Sequence, residues 1–284
     1  MKQLAALLAV AAMVVGLSGV AFGYPGHPTY YAVYIPDDKL PTLDGDFSDW
    51  AWIADEYLIT TDMMTDVTGA EFPTADDLTT FIYVGWNDKT NRMYIGARVI
   101  DDVHTVDHEP WDYGAWRDDS LEFNVNASND GTLNYKKGET DRAYHIYFAG
   151  PLPEGELGEY WSENTWYAPQ PDKPKSPYID YGFSRNEATK ETIYEVSFVL
   201  FDYREDESSD PAILHDLSEG ETIGLTIAIN DTEQPGDIRE NQLSTTDVDG
   251  SYRDGNVLSN FVLSPIVVTA VEASQWGAVK ALFR

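Results

Sequence analysis

The chain has 284 residues, in which 49 Asp and Glu outnumber 18 Lys and Arg and give a formal net charge of −31. A field of that sign repels phosphate backbones and anionic lipid surfaces, which argues against nucleic acids and membranes as binding partners. The chain is also 43% hydrophobic and has no Cys, so we expect a soluble globular fold without disulfides or Cys-ligated metals.

The first 23 residues predict a secretory signal peptide. Lys2 is followed by an apolar run, and the small residues Ala21 and Gly23 precede the expected cleavage site. The uninterrupted apolar stretch is shorter than the ~20 residues that span a bilayer, so we expect no membrane insertion. The mature chain is therefore expected to begin at Tyr24 and to be secreted to the extracellular space, the periplasm or the cell surface.

Beyond the signal peptide, apolar residues recur with a period of two, which indicates β-strands. A hairpin is predicted for residues 81–86 and 92–100, around a turn rich in Asn and Asp. Further strands are predicted at residues 121–125, 144–148, 179–184, 192–200, 222–230 and 261–270. Helical periodicity is confined to short stretches such as residues 210–217.

Strands with one buried face, joined by Gly, Asp, Asn and Pro turns, favour an all-β fold, an antiparallel β-sandwich of jelly-roll type. Residues 151–177 contain six prolines and two Trp, and we expect them to form a long surface loop inserted into the sandwich. Because strands are predicted on both sides of this loop, residues 24–270 are expected to be one domain. Residues 271–284 then form a C-terminal tail.

The densest functional signal is the segment of residues 111–123, where two Trp precede a strand. Flat aromatic faces at the rim of a sandwich can stack on the C–H faces of sugar rings. Glu122 and His145 lie on the polar phases of their strands and would flank one site if those strands are neighbours. The alternative is a solvated exterior face, which is the interpretation that these two residues alone favour.

Acidic loops supply candidate cation sites, because hard cations such as Ca²⁺ take several oxygen ligands. We expect structural calcium and no organic cofactor. The spacing of the acids does not single out one loop. The candidate ligands are Asp44, Asp46, Asp101, Asp102 and Asp231.

A set of ordered motifs runs through most of the mature chain. They are Leu43-Asp44-Gly45 with Asp49-Trp50, Gly85-Trp86-Asn87-Asp88 with Met93-Tyr94-Ile95, the run from Trp116 to Phe123, Tyr194-Glu195-Val196, and the run from Gly224 to Asp231. In this order they resemble the family 9 carbohydrate-binding modules, which have a DOMON-like β-sandwich.

The resemblance implies a sandwich that holds a sugar end between two aromatic side chains, with polar side chains and often structural calcium. Trp116 would be the first clamp residue, and Glu122 the acid beside it. Tyr252 stands where the family has the second clamp Trp, and Asp249 stands where it has Asn. His145 stands where an Arg is usual, which weakens any charge-assisted hydrogen bond above neutral pH.

We therefore predict a secreted, non-catalytic protein that captures polysaccharide or oligosaccharide ends and supports carbohydrate catabolism, with separate glycoside hydrolases as candidate partners. Two alternatives remain open. One is a glycoside hydrolase that uses Glu122 and Asp249, although Glu122 is expected to be solvated. The other is a haem-binding sandwich of a redox system, with Met93 and His145 as axial ligands.

Overall fold

The structure is a computed structural model, which describes residues 26–107, 115–129, 143–149, 159–163, 178–203, 213–236 and 238–266. The predicted signal peptide, most of the predicted loop at residues 151–177 and the predicted tail at residues 271–284 lie outside the described residues.

The described chain consists of β-strands joined by turns and short 3₁₀ helices. The strands are β1 Thr29–Tyr34, β2 Ile59–Thr60, β3 Thr65–Asp66, β4 Leu78–Asn87, β5 Arg92–Asp101, β6 Ser120–Asn126, β7 Ala143–Ala149, β8 Glu159–Glu163, β9 Ile179–Asn186, β10 Glu191–Phe198, β11 Phe201–Tyr203, β12 Ile213–Leu214, β13 Thr222–Asp231, β14 Asn241–Ser244 and β15 Asn260–Leu263. The 3₁₀ helices are Asp37–Lys39, Phe47–Trp50, Asp55–Tyr57, Thr61–Met63, Ala115–Arg117 and Gly255–Val257. None of these helices has the length and apolar character that a membrane-spanning helix in the described part of the chain would need.

The strands form two layers that share β1. The first layer has the order β8-β7-β6-β13-β15-β1, and the second has the order β1-β4-β5-β10-β9. The first four residues of β1 pair with β15 and its last two residues pair with β4. These two pairings are parallel, and the other pairings of the described strands are antiparallel. The predicted β-sandwich is confirmed, with β1 as a strand that passes from one layer to the other.

The main core lies between the two layers, where the period-two pattern directs alternate apolar side chains inward. Phe123 of β6 and Phe198 of β10 meet there, with ring centroids 4.7 Å apart. Met93 of β5 is fully buried in the same cluster. A second cluster covers the outer face of the second layer, where Trp50 and Ile53 pack with Tyr83 and Tyr94.

Three details of the predicted elements are wrong. Residues 213–217 are not helical, because Ile213–Leu214 forms β12 and pairs with β11. The predicted loop at residues 151–177 contains β8, which extends the first layer beside β7. The last strand ends at Leu263 and does not include residues 264–266, since Pro265 lacks the N–H that a strand ladder needs. Residues 267–270 of the predicted strand lie outside the described residues.

Candidate functional site

The outer face of the first layer carries a buried polar network centred on Glu122. Its Oε1 lies 2.8 Å from Nε2 of His145 on the neighbouring strand β7. Its Oε2 accepts hydrogen bonds from Nδ2 of Asn230 at 3.0 Å and from Nε2 of Gln242 at 2.7 Å. Nη1 of Arg239 lies 3.5 Å from the same oxygen. Strands β6, β7, β13 and β14 and the turn before β14 therefore converge on one carboxylate.

This face is covered, so the expectation of a solvated exterior is wrong. Glu122 is 3% exposed and His145 is 5% exposed. The segment of residues 245–259 connects β14 to β15 and covers part of this face, where Nδ2 of Asn124 donates to Oγ of Ser251 at 3.1 Å. Asn124 and Glu122 are two residues apart in β6, so their side chains lie on the same side of the strand. The contact with Ser251 is therefore on the face that carries Glu122.

Glu122 stays ionised despite its burial. Burial alone would raise the pKa of its carboxyl group, but the charges and hydrogen bonds of His145, Arg239 and Asn230 outweigh burial and lower the pKa to about 2. A buried carboxylate of this kind holds its hydrogen-bond donors in fixed orientations.

Trp116 lies beside this network. The 3₁₀ helix Ala115–Arg117 is separated from β6 by two residues and leaves the Trp116 side chain half-buried. The guanidinium carbon of Arg239 lies 5.0 Å from the centroid of the Trp116 ring, and that of Arg117 lies 5.2 Å from it. Arg239 thus contacts both Trp116 and the carboxylate of Glu122.

Tyr252 and Asp249 lie on the covering segment of residues 245–259. Tyr252 is 38% exposed, and the guanidinium carbon of Arg253 lies 5.3 Å from its ring centroid. Asp249 is also exposed. Because Ser251 is hydrogen-bonded to Asn124, this segment is anchored on the same face as Glu122. The structure therefore brings Trp116, Glu122 and His145 together and places the segment of Asp249 and Tyr252 against the same face.

Three residues of the network were missed by the sequence analysis. Asn230 lies on the polar phase of β13, so its alternation with Ile229 was a usable signal. Gln242 belongs to a strand of four residues and Arg239 to a turn, and neither has a periodic pattern around it.

A second cluster, the acid cluster, consists of acids together with His104 and lies where strands of the two layers end. Asp101 ends β5, Asp231 ends β13, and Asp119 immediately precedes β6. The cluster contains three groups of residues whose candidate ligand atoms lie within 4.8 Å of one another. The first group is Asp101, Asp231 and Glu233, the second is Asp77, Asp102 and Glu233, and the third is Asp101, His104 and Asp119.

The acid cluster has the properties of a cation site. Asp231 is 1% exposed, and neither of its carboxylate oxygens accepts a hydrogen bond from a residue that the structure describes. Burial, together with the negative charges of Asp119 and Asp101, raises the pKa of Asp231 to about 9. Buried carboxylates without donors are costly unless a cation accompanies them. A donor set dominated by carboxylate oxygens fits a hard divalent cation such as Ca²⁺.

The predicted cation ligands separate into two sets. Asp101, Asp102 and Asp231 belong to the acid cluster. Asp44 and Asp46 instead form a local turn, in which Asp44 accepts from the backbone N–H of Asp46 at 3.0 Å and Asp46 accepts from that of Ser48 at 2.9 Å. In the described part of the chain, neither of these two belongs to a group of three candidate ligands.

Met93 and His145 do not form a pair of axial ligands. Met93 lies in the core between the layers, whereas His145 lies on the outer face of the first layer with Glu122. The first layer separates the two side chains, so this geometry does not support the haem alternative.

Comparisons with known proteins agree with this architecture. The family model described as "Carbohydrate family 9 binding domain-like" matches residues 43–265. Among curated proteins, none matches the chain in sequence.

Two solved structures resemble the chain. A family 9 carbohydrate-binding module from Caldicellulosiruptor kristjanssonii in complex with cellotriose aligns with a TM-score of 0.54 at 12% identity, over 85% of this chain and 96% of that one. A module of the same description and organism in complex with glucose aligns with a TM-score of 0.55 at 12% identity, over 85% of this chain and 98% of that one. At this identity the likeness establishes the fold.

Proposed function

The chain belongs to the carbohydrate family 9 binding domain-like proteins, and from this membership we propose that it holds the end of a sugar chain between Trp116 and Tyr252. The observation that carries the proposal is the set of donors held around Glu122 beside the Trp116 ring. An aromatic plane next to fixed donors suits a sugar ring, which has C–H faces and a rim of hydroxyls.

Within this site, we propose that the main role of Glu122 is to orient the side chains that surround it. A carboxylate has about four acceptor positions, and Glu122 already contacts His145, Asn230 and Gln242. Arg239 is the more accessible partner, with 16% of its side chain exposed. Arg239 would donate to sugar hydroxyls in the role that the resemblance assigns to an Arg at position 145.

Sugars of the glucose type are the first ligands to test, because the two similar structures contain glucose and cellotriose. We propose that the protein is secreted through the signal at residues 1–23. Outside the cytoplasm it would capture polysaccharide or oligosaccharide ends and support carbohydrate catabolism beside separate glycoside hydrolases.

Calorimetric titration with glucose, cellobiose and cellotriose tests the clamp. If the site holds only the end of a sugar chain, the affinity should stop rising with chain length once the sugar fills the site. Trp116→Ala should weaken binding by about 10- to 100-fold, because an aromatic anchor contributes about 1–3 kcal/mol. The matched control is Trp52→Ala, which removes an exposed Trp outside the network and should leave affinity unchanged. An unchanged affinity in a folded Trp116→Ala variant would contradict the clamp.

We also propose that Asp101, Asp231 and Glu233 bind a structural Ca²⁺. The ion would neutralise carboxylates that otherwise repel one another, and it would join β5 of the second layer to β13 of the first. The buried, donor-free carboxylate of Asp231 supports this assignment.

Thermal denaturation with calcium and with excess chelator tests the ion. A ligand that binds only the folded state raises the melting temperature, so chelation should lower it. Asp231→Asn should abolish the effect of calcium on the melting temperature, whereas Asp46→Asn, in the local turn, should retain it. A melting curve that does not respond to chelator, with no calcium in elemental analysis, would leave this proposal without support.

A further inference from the structure

The acid cluster and the proposed sugar site around Glu122 and Trp116 are built on neighbouring residues of the same strands. On β13, Asn230 donates to Glu122 while the next residue, Asp231, belongs to the acid cluster. On the partner strand, Nδ2 of Asn230 also donates to Oγ of Ser120 at 2.8 Å, and the residue before Ser120 is Asp119. Successive side chains of a strand point to opposite faces, so the two sites lie on opposite sides of one strand pair.

Asp119 also connects the cluster to the helix that carries Trp116. Its Oδ1 accepts the backbone N–H of Thr232 at 2.7 Å, and its Oδ2 accepts that of Thr105 at 2.6 Å. The hydroxyl of Thr232 donates to the backbone carbonyl of Arg117, the residue after Trp116. Thr232 lies between Asp231 and Glu233, two of the candidate cation ligands.

We propose that Asp119 and Thr232 are positioning residues that couple the two sites, so that a divalent cation in the acid cluster and a sugar at Trp116 bind cooperatively. The inference rests on the proposed function of the Trp116 face.

The physical reason is the repulsion among the acids. Asp101, Asp119 and Asp231 are all nearly fully buried, so without a cation their carboxylates repel one another and must either take up protons or move apart. The backbone at residues 119 and 231–233 can relieve that repulsion by moving apart. Such a movement changes the hydrogen bonds of Thr232 and Asn230, and with them the positions of Trp116 and the donors around Glu122. A cation draws the same segments together.

The coupling is measured as the ratio of the dissociation constants of glucose or cellotriose without and with saturating calcium, below the melting temperature of both forms. We expect about tenfold weaker sugar binding without calcium, within the usual range of coupling between sites. Linkage requires that sugar raise calcium affinity by the same factor. A cation that only stabilised the fold would leave the sugar affinity of the folded protein unchanged.

Thr232→Val tests the path. It removes the hydroxyl that donates to Arg117, so the sugar affinity should depend less on calcium while calcium affinity without sugar is retained. Thr232→Ser restores a hydroxyl and should restore the coupling. A second readout needs no sugar: calcium should slow amide hydrogen exchange in residues 115–123 of the wild type, and do so less in Thr232→Val.

The outcomes separate the proposals. Equal sugar affinity with and without calcium, in protein shown to bind both, would overturn the coupling and leave the sugar site intact. Absence of sugar binding at saturating calcium would overturn the proposed function, and the coupling would then be judged by hydrogen exchange. Exchange in residues 115–123 that does not respond to bound calcium would overturn the coupling independently.

Discussion

Trp50 and Glu195, 145 residues apart, are joined by a hydrogen bond of 2.9 Å from the indole Nε1 to the carboxylate Oε1. The other carboxylate oxygen accepts the backbone N–H groups of Asp44 at 3.0 Å and Gly45 at 2.8 Å. Glu195 is fully buried on β10. The motif from Leu43 to Trp50 is therefore fastened across the outer face of the second layer, and its role is to cover that face.

Glu195→Gln should destabilise the fold. The variant replaces one acceptor oxygen with an NH₂ group that would face a buried N–H, so we expect a loss of about 1–3 kcal/mol in the free energy of unfolding. Urea denaturation measures it, with sugar affinity unchanged. The control is Glu191→Gln on the same strand, which loses a partly exposed ion pair with Arg98 and should cost less than about 1 kcal/mol. Equal losses in the two variants would argue against the anchoring role.

Gly182→Ala should have a larger effect than an ordinary Gly→Ala change. A Cβ at this position would lie 2.1 Å from the backbone oxygen of Leu43, in the segment that Glu195 fastens. One of two constrained backbones must shift, so we expect a loss above about 2 kcal/mol in the free energy of unfolding. Gly236→Ala is the comparison, because its Cβ meets open space and only its φ of +76° opposes the change. A loss no greater than that of Gly236→Ala would mean that the segment yields easily.

The sequence predicted local properties well. The period of two identified the β4–β5 hairpin and β6, β7, β9, β10 and β13, because alternation is a property of a strand and its own two faces. It also put Glu122 and His145 on the polar phase. It could not predict their burial, since the residues that contact Glu122, namely Asn230, Arg239 and Gln242, come from a distant part of the chain.

The sequence also could not predict that the residues of the acid cluster lie close together. Asp101, Asp119 and Asp231 come from three strand ends in two layers, and only the sandwich brings them together. Asp44 and Asp46 also lie in an acidic stretch of the sequence. Their carboxylates, however, accept hydrogen bonds from the backbone N–H groups two residues later in the chain. The sequence pattern alone does not distinguish an acid in a turn from an acid in a cation site.

His215 should make stability fall in alkaline solution. Its Nε2 lies 2.6 Å from Glu221 and its Nδ1 lies 2.8 Å from Asp202. The hydrogen bond with Glu221, followed by that with Asp202, outweighs burial and raises the pKa of His215 from 6.5 to about 9. The stabilisation is therefore complete below about pH 6.5 and is lost as the pH rises through about 9.

The test compares the free energy of unfolding at pH 6.5 and at pH 10 in the wild type and in His215→Gln. The wild type should lose more stability over this interval than the variant, because Gln has no proton to release. Parallel curves for the two proteins would show that the ion pairs of His215 are too screened to matter.

Glu122 should not act as the general acid of a glycoside hydrolase, so we expect no sugar release from oligosaccharides that bind. A general acid must carry a proton near neutral pH, which requires a raised pKa. Here His145 and Arg239 outweigh the effect of burial and lower the pKa of Glu122 to about 2. Among the described carboxyls, Asp119 and Glu233 at about 7 and Asp231 at about 9 have raised pKa values and belong to the acid cluster on the other side of the strand pair. Burial also raises the pKa of Glu195, which lies on β10 in the second layer.

Asp249 is the second carboxylate to test, because it lies exposed on the segment that covers the Glu122 face. Long incubation with cellotriose, followed by chromatography, would detect glucose or cellobiose. Release that disappears in Glu122→Gln or Asp249→Asn, but persists in the control Asp247→Asn, would identify a hydrolase. Without such release, we expect Glu122 to serve as the charged acceptor that orients His145, Asn230, Gln242 and Arg239 beside Trp116.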